Sequence, residues 1–335
     1  MNKKQRVEAA IAGKPVDRVP FGVWLHNFAE EHSDEVLARE TVRLYERFDF
    51  DFIKPQTRAH CFGEMWGQKM MPHTGRDNGP VVAKFAVQND ADLNNVPRIS
   101  ANTGSLLEQV NAYRRIRETV GDGVHIIATV FAPMMNLALM NPDGKAGVLR
   151  MQTTAPEALE RAASNMAATL SEYMQRCIEA GADGIYYATT TGNVGDVSDA
   201  QFERFQRPFD DRILAAAKHC PMTVLHMCGS AIHAPWFKDH AANVFSWATT
   251  PGNPTLTDMH DLTGRAVMSG APAKPVIATM QPAALAAHVQ RALEEMEGRS
   301  HILGPDCSIN SHTSPELMDV IADTVKRYQP ATAKA

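Results

Sequence analysis

The chain has 335 residues, 44 % of them hydrophobic and 21 % charged, values of an ordinary soluble globular protein that exclude a disordered or fibrous one. Its 33 Lys+Arg against 38 Asp+Glu give a net charge of −5 without a basic block, which argues against a nucleic-acid partner. The opening Met1-Asn-Lys-Lys-Gln-Arg-Val-Glu is polar, and no window reaches the roughly 18 apolar residues of a membrane span, so no membrane partner and a cytoplasmic location are expected.

Short β-branched or apolar runs, each followed by a longer helical pattern, recur along the chain, the alternation of a parallel sheet. An N-terminal helical extension comes first, and the predicted strands are residues 19–24, 50–54, 125–130, 184–188, 223–227, 244–247, 266–269 and 302–303. Eight strands suit a closed ring, so the expected fold class is α/β, a single (β/α)8 TIM barrel forming one domain over 1–335. Residues 80–97 interrupt the alternation and read as a small inserted hairpin and loop over one barrel end. Helices are expected at 155–180, closed by Gly181, at 198–217, and at 282–296, opening on Pro282. Residues 332–335 read as a frayed tail.

The cysteines Cys61, Cys177, Cys220, Cys228 and Cys307 are odd in number and scattered, which suits reduced thiols rather than a disulfide framework. In a parallel barrel the chemistry sits where strands end. On the fifth predicted strand, Thr-Val-Leu-His-Met-Cys-Gly-Ser (223–230), His226 and Cys228 are two apart and share a face, while Met227 points the other way. Gly229 then permits a sharp turn. Cys307, in Leu-Gly-Pro-Asp-Cys-Ser-Ile (303–309), ends the last strand, three βα units onward around the same rim. One imidazole and two thiolates suit zinc with an open position. Cysteine is also a common packing residue, and spacing alone leaves both readings open.

Other residues at predicted strand ends are candidates for the pocket. Trp24, Phe131, Met134, Tyr187 and Thr189 are expected to bind substrate, and His26 and His60 to move protons, since imidazole titrates near neutrality.

Several segments together resemble the uroporphyrinogen decarboxylase superfamily: Lys-Pro-Val-Asp-Arg-Val-Pro-Phe (14–21), Phe-Asp-Phe-Asp-Phe-Ile-Lys (48–54), Trp-Gly (66–67), Leu-His-Met-Cys-Gly (225–229), and Asp-Cys-Ser-Ile (306–309) with Thr313 and Pro315. The resemblance implies a TIM barrel. In the zinc-dependent, corrinoid-linked methyltransferase branch of that superfamily, and in the similar cobalamin-independent methionine synthases, a His-x-Cys pair and a distant Cys hold zinc, a pattern matched by His226, Cys228 and Cys307. It implies methyl transfer between a corrinoid, onium or methoxy donor and a thiol-type acceptor, with a methylated corrinoid carried by a partner protein, a small-molecule substrate and a homodimer. True uroporphyrinogen decarboxylases carry an arginine-rich segment after the first strand. Here that place reads Val-Trp-Leu-His-Asn-Phe-Ala-Glu-Glu-His (23–32), with no guanidinium to grip a polycarboxylate. The alternative is decarboxylation of a smaller acid, which asks for Lys54 and Arg58 directed inward. Methionine synthases complete the metal set with an acidic residue after the following strand. This chain has none at 247–253, which leaves Asp306, water or a substrate thiol for that position.

Overall fold

The structure, a computed structural model, describes residues 1–72, 75–76, 78–272, 274 and 276–330; the predicted tail lies outside the described residues. Nine strands form among them: β1 (Phe52–Ile53), β2 (Lys69–Met70), β3 (Val82–Lys84), β4 (His125–Phe131), β5 (Gly184–Thr189), β6 (Met222–Met227), β7 (Val244–Trp247), β8 (Ala266–Ala271) and β9 (His301–Pro305). Seven of them pair in parallel in the order β1-β4-β5-β6-β7-β8-β9, each joined to the next by helices, giving a curled TIM-barrel-like α/β fold.

The first predicted strand, 19–24, takes its place in the ring without becoming a regular strand. Phe21 bridges Leu303 and Leu25 bridges Ile309. Gly22 N–H donates to the Leu303 carbonyl at 3.1 Å, Leu303 N–H to Pro20 at 2.8 Å, and Asp51 N–H to Phe21 at 2.8 Å, so this segment joins β9 to the β1 side. Pro20 has no N–H to extend a ladder. Gly22 lies so close to the Phe52 ring that a Cβ there would sit 2.8 Å from it.

Inward-pointing side chains Trp24, Phe52, Ile127, Tyr186, Val224 and Met268 fill the ring. Val7 and Ala10 of the N-terminal helix (Lys3–Ile11), together with Val16, join the same cluster. Beneath them the fully buried Asp51 accepts from Arg6 (2.7 Å), Arg18 (2.5 Å) and the Phe21 amide (3.0 Å), so its charge is met by two guanidinium groups. A second, larger apolar cluster lies between the sheet and the helices.

The helix expected at 155–180 is observed as Pro156–Glu179, with Leu159, Ala163, Met166, Leu170 and Met174 on its buried face and Gly181 at φ +106° beyond its end. That at 198–217 divides into Asp199–Phe205 and Arg207–Ala216. Pro208 lacks an N–H for a continuous ladder, and its ring would crowd the carbonyl one turn earlier. The insert is also placed differently. Its hairpin pairs β2 with β3, so one arm lies upstream of residue 80, and a short 3-10 turn, Asp90–Asn95, follows. No helix among the described residues is long and apolar enough to cross a membrane.

Candidate metal centre

Strand alternation turns His226 into the barrel, where its ring stacks on Tyr186 with centroids 5.3 Å apart. Its Nδ1 lies 3.1 Å from the Ser246 hydroxyl, while its Nε2 is buried without a hydrogen-bond partner. Cys228 sits one residue beyond β6. Its amide donates to Thr189 at 2.8 Å, carrying the β5–β6 ladder one step past the strand, and Gly229 turns the chain at φ +153°. Cys307 follows β9 in the same way, after Asp306 N–H donates to Ala271 at 2.8 Å.

The ligand atoms of His226, Cys228 and Cys307 all lie within 4.8 Å of one another. The Cys228 thiol donates to Cys307, which with His226 nearby pulls the Cys307 thiol well below its ordinary range, and the same bond and burial push Cys228 up. A buried imidazole nitrogen without a partner beside two converging sulfurs is a donor set suited to zinc. Asp306 is not part of it. Its carboxylate accepts from Ser269 (2.5 Å), Thr249 (3.2 Å) and the Gly270 amide (3.3 Å), and burial pushes its carboxyl up from the ordinary value.

The three residues form part of the lining of a cavity of about 400 Å³, the lower range of small-molecule sites. Trp24, Phe131, His26 and His60 line it. His26 Nδ1 lies 2.7 Å from the buried Glu31 carboxylate, whose other oxygen accepts from the Ala59 amide at 3.2 Å, and the ring stacks on Phe28. His60 Nδ1 accepts from the Gln68 amide at 3.0 Å, which leaves its proton on Nε2, and burial lowers its pKa. Lys54 is buried in the wall. Its ammonium donates to Gln56 at 2.6 Å and lies 5.1 Å and 4.9 Å from the Trp24 and Tyr186 ring centroids, and burial lowers its pKa to about 7. Arg58 lies elsewhere, bound to Glu64 (2.5 Å and 2.9 Å) and Glu108 (2.8 Å).

Three residues expected in the pocket have other surroundings. Met134 is buried among core side chains, and its helix (Pro133–Leu139) instead presents Met135 and Leu139, one turn apart, to the cavity. Tyr187 points behind the sheet, donating to the buried Asp210 at 2.5 Å, and Thr189 accepts from Gln206 at 2.7 Å. On that strand it is Tyr186 and Ala188 that face the cavity, because β5 pairs with β6 so that Ala188 stands opposite His226. Sequence reasoning also missed Ser246, Glu31 and Gln56. Ser246 carried a signal, as the lone polar residue in the apolar run Val-Phe-Ser-Trp.

The chain has relatives with two kinds of name. It is 24 % identical to a methylcobamide:CoM methyltransferase of Methanosarcina mazei, over 68 % of this chain and 70 % of that protein. It is 23 % identical to a uroporphyrinogen decarboxylase of Idiomarina loihiensis, over 98 % and 97 % of the two chains. Among solved structures, a methyltransferase from Methanosarcina mazei superposes with a TM-score of 0.83 at 19 % identity, covering 97 % of this chain and 98 % of the other. A B12-independent methionine synthase from a Shewanella species shares the fold more loosely, at TM-score 0.52 and 15 % identity over 95 % of each chain. The model of the uroporphyrinogen decarboxylase (URO-D) family matches residues 2–328, and the chain belongs to that family.

Proposed function

We propose that the protein is a zinc-dependent methyltransferase that passes a methyl group from a donor to a thiol-type acceptor. The donor is a methylated corrinoid carried by a partner protein, or an onium or methoxy compound. The observation that carries this reading is the convergence of one ring nitrogen of His226 with Cys228 Sγ and Cys307 Sγ within 4.8 Å at the cavity wall. Relatives named as methylcobamide:CoM methyltransferases support it.

His226, Cys228 and Cys307 would hold the ion, with one position left for substrate. Bound zinc would keep an acceptor sulfur as its thiolate at neutral pH. The protein's own groups handle the proton. Glu31 fixes the proton of His26 on Nδ1, which leaves Nε2 to take the thiol proton, and the Nε2–H of His60 can hydrogen-bond the oxygen of a methoxy donor, while a corrinoid or onium donor departs without taking up a proton. Trp24, Phe131, Met135 and Tyr186 keep water from the transferring methyl. The alternative, decarboxylation of a small acid, asks for Arg58 directed inward, and Arg58 is held by Glu64 and Glu108 instead.

Purified protein is expected to contain one zinc per chain by elemental analysis, and to demethylate methylcobalamin in the presence of a thiol. Cys307→Ala should lose both properties. Absence of stoichiometric zinc, or a variant that keeps metal and rate, overturns the reading; zinc with ligand binding but no turnover would make the protein a binding partner rather than an enzyme.

A further inference from the structure

Tyr186 stands inward on β5 at the cavity wall, and its ring stacks on the His226 imidazole with centroids 5.3 Å apart and 25° between the planes. Trp24 packs edge-on against it at 5.1 Å, which fixes the ring. Its hydroxyl reaches Ser246 and lies near enough to Cys307 and Cys228 to feel their charge. Ser246, on β7, therefore touches two groups, the phenol and His226 Nδ1 at 3.1 Å, with one hydrogen to give. With Nε2 left for a metal, the imidazole keeps its proton on Nδ1 and donates it to Ser246. The Ser246 hydrogen then goes to the Tyr186 oxygen, and the phenol, which keeps its own hydrogen at neutral pH, turns that hydrogen toward the cavity.

We infer that Tyr186 is a catalytic residue whose phenol, aligned through Ser246 by the His226 imidazole, donates a hydrogen bond to the acceptor sulfur at the metal centre. The inference rests on the proposed function, since it takes that sulfur to complete the set of His226, Cys228 and Cys307. Two thiolates already offset the charge of a divalent ion, so a third brings surplus negative charge to the site. Asp306 is committed to Ser269 and Thr249 and leaves the remaining position to substrate. A donor facing the incoming sulfur offsets the surplus and strengthens binding of its thiolate form. Ser246 acts through the other two groups and is a positioning residue.

The test uses the full chain loaded with cobalt(II) in place of zinc and titrated with 2-mercaptoethanol, so that a sulfur-to-cobalt charge-transfer band reports on the bound thiolate. Tyr186→Phe keeps the ring, its stack on His226 and its face toward Lys54, and removes only the hydroxyl. It should weaken thiol binding about tenfold and move the band to longer wavelength, because a sulfur lone pair without a donor lies higher in energy. Imidazole, whose one free lone pair goes to the metal, should bind both proteins alike. Ser246→Ala should move the band in the same direction, since the phenol is no longer aligned. An unmoved band overturns the inference, and so does equal weakening of thiol and imidazole, which would place the effect on the metal site as a whole. Should Tyr186→Phe fail to fold, Ser246→Ala decides by the band alone. A chain that takes up neither cobalt nor zinc defeats the methyl-transfer reading and this inference together; uptake without a response to Tyr186→Phe defeats this inference alone.

Discussion

The hydroxyl of Ser246 lies 3.1 Å from Nδ1 of His226, inside the barrel and one strand away. That contact holds the imidazole by Nδ1 and leaves Nε2, which has no hydrogen-bond partner, free for a metal. Outer contacts of this kind are worth about 10–100-fold in metal affinity. Ser246→Ala should weaken zinc binding by that order in a competitive chelator titration while the thermal midpoint of the metal-free protein changes little. An unchanged zinc affinity would show that packing against Tyr186 alone aims the ring.

Gly229 follows Cys228 at φ +153°, and a Cβ there would meet the Asn193 side-chain oxygen at 1.9 Å. Gly229→Ala is therefore expected to cost about 2 kcal/mol in urea denaturation, through strain and overpacking. It should also loosen zinc, because Cys228 must shift with its neighbour. Denaturation curves that coincide with wild type would refute the crowding argument.

His301 is fully buried, with Nε2 donating to the Ser269 carbonyl at 3.1 Å and Nδ1 without a partner, and burial lowers its pKa to about 4 from 6.5. On acidification the unfolded chain takes up this proton first, so stability is lost as pH falls from about 6.5 to 4 and is level above. The shift corresponds to at most about 3 kcal/mol. His301→Gln should flatten that part of the stability profile, measured as urea midpoints at pH 7 and pH 4.5. Parallel profiles for the two proteins would contradict the assignment.

Met134 and Met135 are neighbours with different surroundings, one in the core and one in the cavity wall. Met134→Ala should cost about 2–5 kcal/mol of stability with little effect on ligand affinity. Met135→Ala should do the reverse, changing affinity for small thiols at nearly constant thermal midpoint. Equal effects of the two substitutions would mean that the helix Pro133–Leu139 does not divide its faces in this way.

The ring of strands is legible in the sequence because its apolar runs are short and bounded, and seven of the eight predicted strands appear in place. The juxtaposition of His226 with Cys228 is legible too, since the period of two needs no knowledge of neighbouring strands. Tyr186 and Tyr187 show where this stops. Both are tyrosines on one strand, and only the pairing of Ala188 with His226 decides which faces inward. The same holds for Met134 and Met135, where helix rotation is fixed by packing partners distant in the chain. Asp306 lay beside Cys307 in sequence, but the hydroxyls of Ser269 and Thr249, from two other segments, take up its carboxylate.

The pairing of Phe21 with Leu303 bears on biosynthesis. A ribosome must deliver every residue between them before these two segments can meet, so the growing polypeptide carries an unsatisfied sheet edge until then. Contacts of such sequence separation form slowly. Overproduction at lowered temperature or with added chaperone should consequently raise the soluble yield.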